Sequence, residues 1–279
     1  MYSNSLKFGP ATILALMFCM APVIASAQAV AEKTAQDKMT VAQVVDRYYT
    51  AMGGKDKLAE VKTIVTKGKM LVPEAGIEGT MEMIQMAPNR MMTKASIPQV
   101  MEQQSGFDGE FAWDSSDMMG DRIMDEKETE QVKLQGSMWT LWDYEKNFDS
   151  VEVSGPEDFA DESCYKITAT KEGTNPVEFY FSVKTGLHTG MRGKFETQMG
   201  EMEIEAFVTD YREVDGLTLS HKGTVKLPNG MSQVMQAEEI TINPDLAEDA
   251  LAPPKAIQNL IAEKKKKEAD KKKDKGSGK

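Results

Sequence analysis

Few side chains in this 279-residue sequence could do covalent or acid–base chemistry, and their spacing argues against it. There are two histidines, His188 and His221. Neither has a second metal ligand at helical spacing, and His221 falls on the apolar side of a strand pattern, where a packed histidine sits. Ser163-Cys164-Tyr165-Lys166 followed by Lys184-Thr185-Gly186 has the letters of a serine acyl-transfer motif. That chemistry needs its serine at the start of a helix, whereas here it lies within a strand pattern, only about 20 residues from the second piece. Cys164 reads as a small buried hydrophobe. No glycine-rich phosphate loop, cysteine pair or Gly-x-Ser-x-Gly elbow occurs, and the acids of 114–125 lack calcium-loop spacing. The sequence therefore predicts no enzyme, no catalytic residue, no metal site and no cofactor.

Methionine is what the chain has in excess: 21, of which Met1, Met17 and Met20 fall in the first 27 residues. Met70, Met81, Met83, Met91 and Met202 fall on apolar faces of strand patterns, and Met52 and Met138 on helical stripes. Plain core accounts for such a pattern. So does a surface that must adapt to varied greasy partners, because methionine is unbranched and polarizable. Burying one methylene is worth about 0.8 kcal/mol, so a chain of roughly 16 carbons could supply roughly 12 kcal/mol with no polar motif at all.

Such residues need elements to hold them. Val41, Val44, Val45, Tyr48, Tyr49 and Met52 recur at helical spacing, which predicts a helix over 40–52 with one apolar stripe, capped by Thr40 and stopped at Gly53-Gly54. A short helix follows over 55–61. Strand patterns then occupy most of 63–242. The alternation is cleanest at 77–83, 201–208 and 217–227, where one face is wet. Phe107-Asp108-Gly109 and Asp215-Gly216 mark hairpins. Residues 126–144 break the run as an amphipathic helix interrupted near Gly136, carrying Trp139 and Trp142. The fold class is mainly β (α+β), with roughly ten antiparallel strands.

At the N-terminus, Lys7, an apolar run over 11–24 and Ala25-Ser26-Ala27 form an export signal cleaved near Ala27. The division expected is signal peptide 1–27, disordered linker 28–39, one domain 40–252 and a Lys-rich low-complexity tail 253–279, with a short helix over 256–262. Export places the mature protein in an exported compartment, the periplasm on the resemblance described below. The net charge of −11 divides unevenly: the tail from Lys255 carries +6 and the body 28–254 carries −18. An acidic body excludes nucleic acid as its partner. The basic tail allows contact with an anionic membrane surface.

Several stretches together resemble the outer-membrane lipoprotein-sorting protein family and the broader LolA-like periplasmic carriers. They are the export signal, the helix ending in Ala-Met-Gly-Gly-Lys at 51–55, the strand 64–70, and the turn 106–109 with Trp113. Phe181-Ser-Val-Lys-Thr-Gly-Leu187 and Tyr211-Arg-Glu-Val-Asp-Gly-Leu217 complete the set. The likeness covers about residues 40–243. It implies a half-open antiparallel β-barrel with helices covering its concave face, and a hydrophobic cavity between them for lipid or lipoprotein acyl chains. Arg47 and Arg90 are the candidates for the carriers' cargo-handling arginine. On this reading helix 40–52 and segment 132–142 are displaced when a chain enters. The ligand-binding residues are Val44, Tyr48, Met81, Met83, Trp139 and Trp142, in a protein acting as a monomer. The alternative is an envelope structural or protein-interaction module of the same fold with a filled core.

Overall fold

The computed structural model describes residues 39–197, 200–227 and 229–276. The expected signal peptide (1–27) and all but the last residue of the expected linker (28–39) lie outside these. Helix α1 (Val41–Ala51) and the one-turn α2 (Lys55–Ala59) come first. Strands β1 (Thr63–Val72), β2 (Ile77–Met86), β3 (Arg90–Ile97), β4 (Met101–Phe107), β5 (Ala112–Ser116) and β6 (Gly120–Ile123) follow. Helices α3 (Glu126–Gly136) and α4 (Tyr144–Asn147) interrupt them. The run resumes with β7 (Ser150–Phe159), β8 (Glu162–Thr170), β9 (Val177–Ser182) and β10 (His188–Thr197). Then come β11 (Gly200–Val214), β12 (Leu217–Lys226), β13 (Ser232–Ile242) and helix α5 (Lys255–Gly276).

The fold is mainly β: one open antiparallel sheet of 13 strands, in the order β6-β5-β4-β3-β2-β1-β13-β12-β11-β10-β9-β8-β7. The expectation of roughly ten strands is thus too low. The shortfall lies at the edges, where the pattern is weakest. β6 is four residues long, and β7 carries Pro156 at an irregularity between Ser154 and Glu157. Proline cannot donate to a ladder and is tolerated at a bulge on an edge strand. All pairings join strands adjacent in sequence except β1 with β13, which form a seam.

The sheet curls. Segment 124–149 links its two edge strands, and α3 touches both halves at points one helical turn apart. Glu128 accepts two hydrogen bonds from the Arg122 guanidinium of β6 (2.8 and 2.9 Å), while Gln131 exchanges two with the Glu196 backbone of β10 (3.0 and 3.3 Å). β6 and β10 stand nine steps apart in the order. In a flat sheet that is roughly 43 Å, at about 4.8 Å per strand. Two side chains on one helical turn could not span it.

Directly paired residues share a face, so the register sorts the sheet. Ile64 packs with α1 in the main core, alongside Ile167, Phe181, Leu217 and Leu219. On that same face lie Met70, Met81, Met83, Met91, Met202 and Met235. Met101 and Met191 join them through Ile97 and Phe179. Met70 and Met81 are buried and the other six half-buried. On the opposite face Val65, Ile84, Met92 and Trp113 pack against Leu251, Ile257, Leu260 and Ile261. Helix α5 therefore extends well past the short 256–262 helix the sequence suggests, with its first two turns docked on the sheet.

Candidate functional site

Helix α1 is fixed at both ends. The Gln43 N–H donates to Thr40 Oγ1 (3.3 Å) while the Thr40 N–H donates to Gln43 Oε1 (2.8 Å), satisfying two end donors reciprocally. At the other end Gly53 has φ +124° and lies so close to the β11–β12 hairpin that a Cβ there would sit 2.8 Å from the Gly216 carbonyl oxygen. The Thr218 N–H donates to the Met52 carbonyl (2.9 Å), tying helix to hairpin. Arg47 donates to the carbonyls of Val183 and Lys184 in the β9–β10 turn. It is thus held by backbone. Arg90 lies at the start of β3 and reaches Met86 Sδ at 3.7 Å.

Segment 126–147 crosses beside α1. Asp125 and Glu128 form a second reciprocal cap. Helix α3 stops at Gly136, as the sequence suggests, where a side chain would collide with the Asn89 carbonyl and Met91. The turns after it are pinned by Thr140, whose hydroxyl contacts the carbonyls of Leu134 (2.8 Å) and Ser137 (2.9 Å). These turns bring Trp139 and Trp142 onto the Tyr49 ring, with centroids 6.3 and 5.3 Å away.

Four cavities border this segment: one of about 290 Å³ is polar, among Lys127, Gln131, Glu196 and Glu201, and the other three share apolar walls. Of these three, one of about 400 Å³ lies between the segment and α2, against Leu58, Val61, Met138, Trp139 and Trp142, with Lys133, Asp143 and Lys171 on its polar side. A second, about 240 Å³, is lined by Leu134, Phe148, Phe179, Met191 and Phe195, with Gln131, Asn175 and Lys194 among its polar residues. The third, about 140 Å³, lies against Tyr48, Phe179, Phe181 and His188. They share walls: Leu134 serves the first two, Phe179 the last two, and Met138 the first and third. Ligand sites of roughly 300–1,000 Å³ are usual.

The predicted residues separate into three groups. Tyr48, Trp139 and Trp142 line cavities. Val44 is 2% exposed, inside solid packing beneath α1. Met81 and Met83 lie on the same sheet face but line none of the three. Sequence reasoning missed Leu134, Phe179, Met191, Phe195 and His188. The register of β10 explains His188: an irregularity between His188 and Gly190 puts His188 on the face of Met191, where plain alternation would separate them. Burial pushes the His188 imidazole down to about 4 and raises the Tyr48 and Tyr49 hydroxyls. His221 is 7% exposed, with Nδ1 3.1 Å from the Leu219 carbonyl. Among the described residues no group of three or more His, Cys, Asp or Glu could hold a metal ion. Nor is any helix among them long and apolar enough to cross a membrane.

Comparison of the coordinates with solved structures finds the same fold elsewhere. A DUF1329 family protein from Desulfovibrio piger matches with a TM-score of 0.51 at 10% identity, over 78% of this chain and 98% of its own. A LolA superfamily protein from Nitrosomonas europaea matches with 0.50 at 10% identity, over 77% and 99%. A domain from Vibrio parahaemolyticus that carries the name outer membrane lipoprotein-sorting protein scores 0.49 at 8% identity, over 76% and 94%. By sequence, no family model and no curated protein matches the chain. The fold is LolA-like.

Proposed function

We propose that this chain is an exported, non-enzymatic carrier or binding protein that holds acyl chains of lipids or lipoproteins between its curled sheet and its helices. The observation that carries the reading is the run of cavities sharing apolar walls (Leu134, Met138 and Phe179) beneath segment 126–147, beside a sheet face bearing eight methionines. Helix α1 and the crossing segment close the concave side. The segment yields, and α1, whose underside is solidly packed, stays. Val44 then supports the wall, Tyr48, Trp139 and Trp142 touch the ligand, and Met81 and Met83 receive the far part of a long chain. Residues 40–252 form the carrier body in the periplasm after removal of 1–27, and the protein works as a monomer. The basic end of α5 meets anionic headgroups while the acidic body stays clear of them.

The solid core under α1 is what favours the other reading, an envelope interaction module with a filled interior. Native mass spectrometry of protein purified without detergent, with displacement of 1-aminoanthracene by dodecyl chains, separates the two. A carrier retains lipid or binds the probe at micromolar concentration, and Trp139→Ala with Trp142→Ala weakens binding about tenfold, on the order of 1.4 kcal/mol. Protein that is always lipid-free and ignores the probe overturns the proposal.

A further inference from the structure

The smallest of the three cavities has a polar feature the others lack. His188 opens β10 opposite Phe181, and its ring lies among Phe181, Phe179 and Tyr48, at centroid distances of 5.3, 6.0 and 6.3 Å. The Gly190 backbone favours a proton on the ring. The ring's Nε2 is shut off from solvent and has no hydrogen-bond partner. A neutral imidazole carries one N–H and one bare nitrogen. With its proton on Nδ1, it presents Nε2 as an acceptor. A buried acceptor left empty costs stability, so such a group signals a missing partner.

We propose that His188 Nε2 is the polar handle of the lipid site and selects a neutral hydroxyl-bearing chain, such as a fatty alcohol or an acylglycerol. The inference rests on the carrier reading above. The cavity, about 140 Å³, compares with roughly 150 Å³ for one that admits benzene, so it takes a small head group and its first carbons. The rest of the chain passes by Phe179 into the 240 Å³ cavity, where that side chain forms a common wall. No lysine or arginine lines the small cavity. A carboxylate there would be a buried, unpaired charge facing a lone pair, which is heavily penalised. A hydroxyl supplies the donor that Nε2 lacks. The Thr140 hydroxyl, also in the wall, is already engaged with the carbonyls of Leu134 and Ser137.

The test compares 1-dodecanol, dodecyl methyl ether and dodecanoate by displacement of 1-aminoanthracene from the full mature chain. The alcohol should bind about tenfold tighter than the ether, the worth of one buried hydrogen bond, and dodecanoate weakest at neutral pH. His188→Phe should abolish the alcohol's advantage, so that alcohol and ether bind alike. Should that variant fail to fold, ¹⁵N NMR of the native protein replaces it. Dodecanol must shift the acceptor-type Nε2 resonance of His188, and the ether must not. Equal binding of alcohol and ether to the native chain, or no nitrogen shift, overturns this inference and leaves the carrier intact. Failure of all three ligands to bind removes both.

Discussion

His188 and Glu128 are two titratable groups whose surroundings set opposite demands. Burial disfavours the charged form of His188, lowering it to about 4. The unfolded chain, with an ordinary histidine near 6.5, takes up the proton first. Stability should therefore fall as pH drops from 6.5 towards 4, by about 1.4 kcal/mol per unit at most. Urea titrations at pH 7 and 4.5 should show a smaller acid loss in His188→Phe than in the native chain. Glu128 is 7% exposed, and the Arg122 guanidinium holds its carboxyl below the usual carboxylate range. Its contribution is present above the unfolded carboxylate range and lost as pH falls through the lowered one. Arg122→Ala should cost about 3 kcal/mol by leaving that carboxylate buried and uncompensated, and adding Glu128→Leu should recover much of it. A double-mutant cycle by denaturant melts checks both. Neither site was visible from spacing alone. The chain irregularity beside Thr189 sets the direction of His188, and Arg122 and Glu128 lie on different elements.

Elements were legible where one periodicity held over many residues. The stripe on α1 and its stop at Gly53 follow from the sequence, as does the end of α3 at Gly136. Edge strands β6 and β7 did not follow, because one is short and the other holds a proline inside its run. The 13 strands also include faces that mix methionine with glycine, where alternation is a weak guide to direction. Gly53→Ala tests the tight junction of α1 with the β11–β12 hairpin. Positive φ and the Gly216 contact should together cost about 2 kcal/mol, read as a lower denaturation midpoint. The crossing segment gives a kinetic prediction. Gln131→Ala removes the two hydrogen bonds between α3 and β10, about 1 kcal/mol each. Stopped-flow probe uptake should quicken about fivefold or more, with equilibrium affinity nearly unchanged. Unchanged uptake would mean that ligand enters by another route.

Charge is distributed by region on the scale of the whole molecule. Helix α5 is docked through Ile257, Leu260 and Ile261, and Lys264 and Lys265 lie over the Phe111 ring at 5.3 and 5.1 Å. Lys266 and Lys267 beyond them are exposed. Truncation after Glu263 removes nine of the chain's lysines and should abolish co-sedimentation with phosphatidylglycerol vesicles at low salt. Phosphatidylcholine vesicles should not bind either form, and ligand binding should survive the truncation. The charge asymmetry was plain in the sequence. The curl and the cavities were not, because they depend on a helix joining strands distant in the sheet. The β1–β13 seam has a further consequence, one of time. Every other ladder can zip as soon as its hairpin is synthesised, whereas β1, paired with β2 on one side, keeps its other edge open until β13 is made about 160 residues later, the costliest closure in the topology. Nascent chains should accordingly show fast amide exchange along the β13-facing edge of β1 until Ile242 has emerged. A chain ended at Met231 should leave that edge of β1 open, and β12 with it, both prone to pair with other chains.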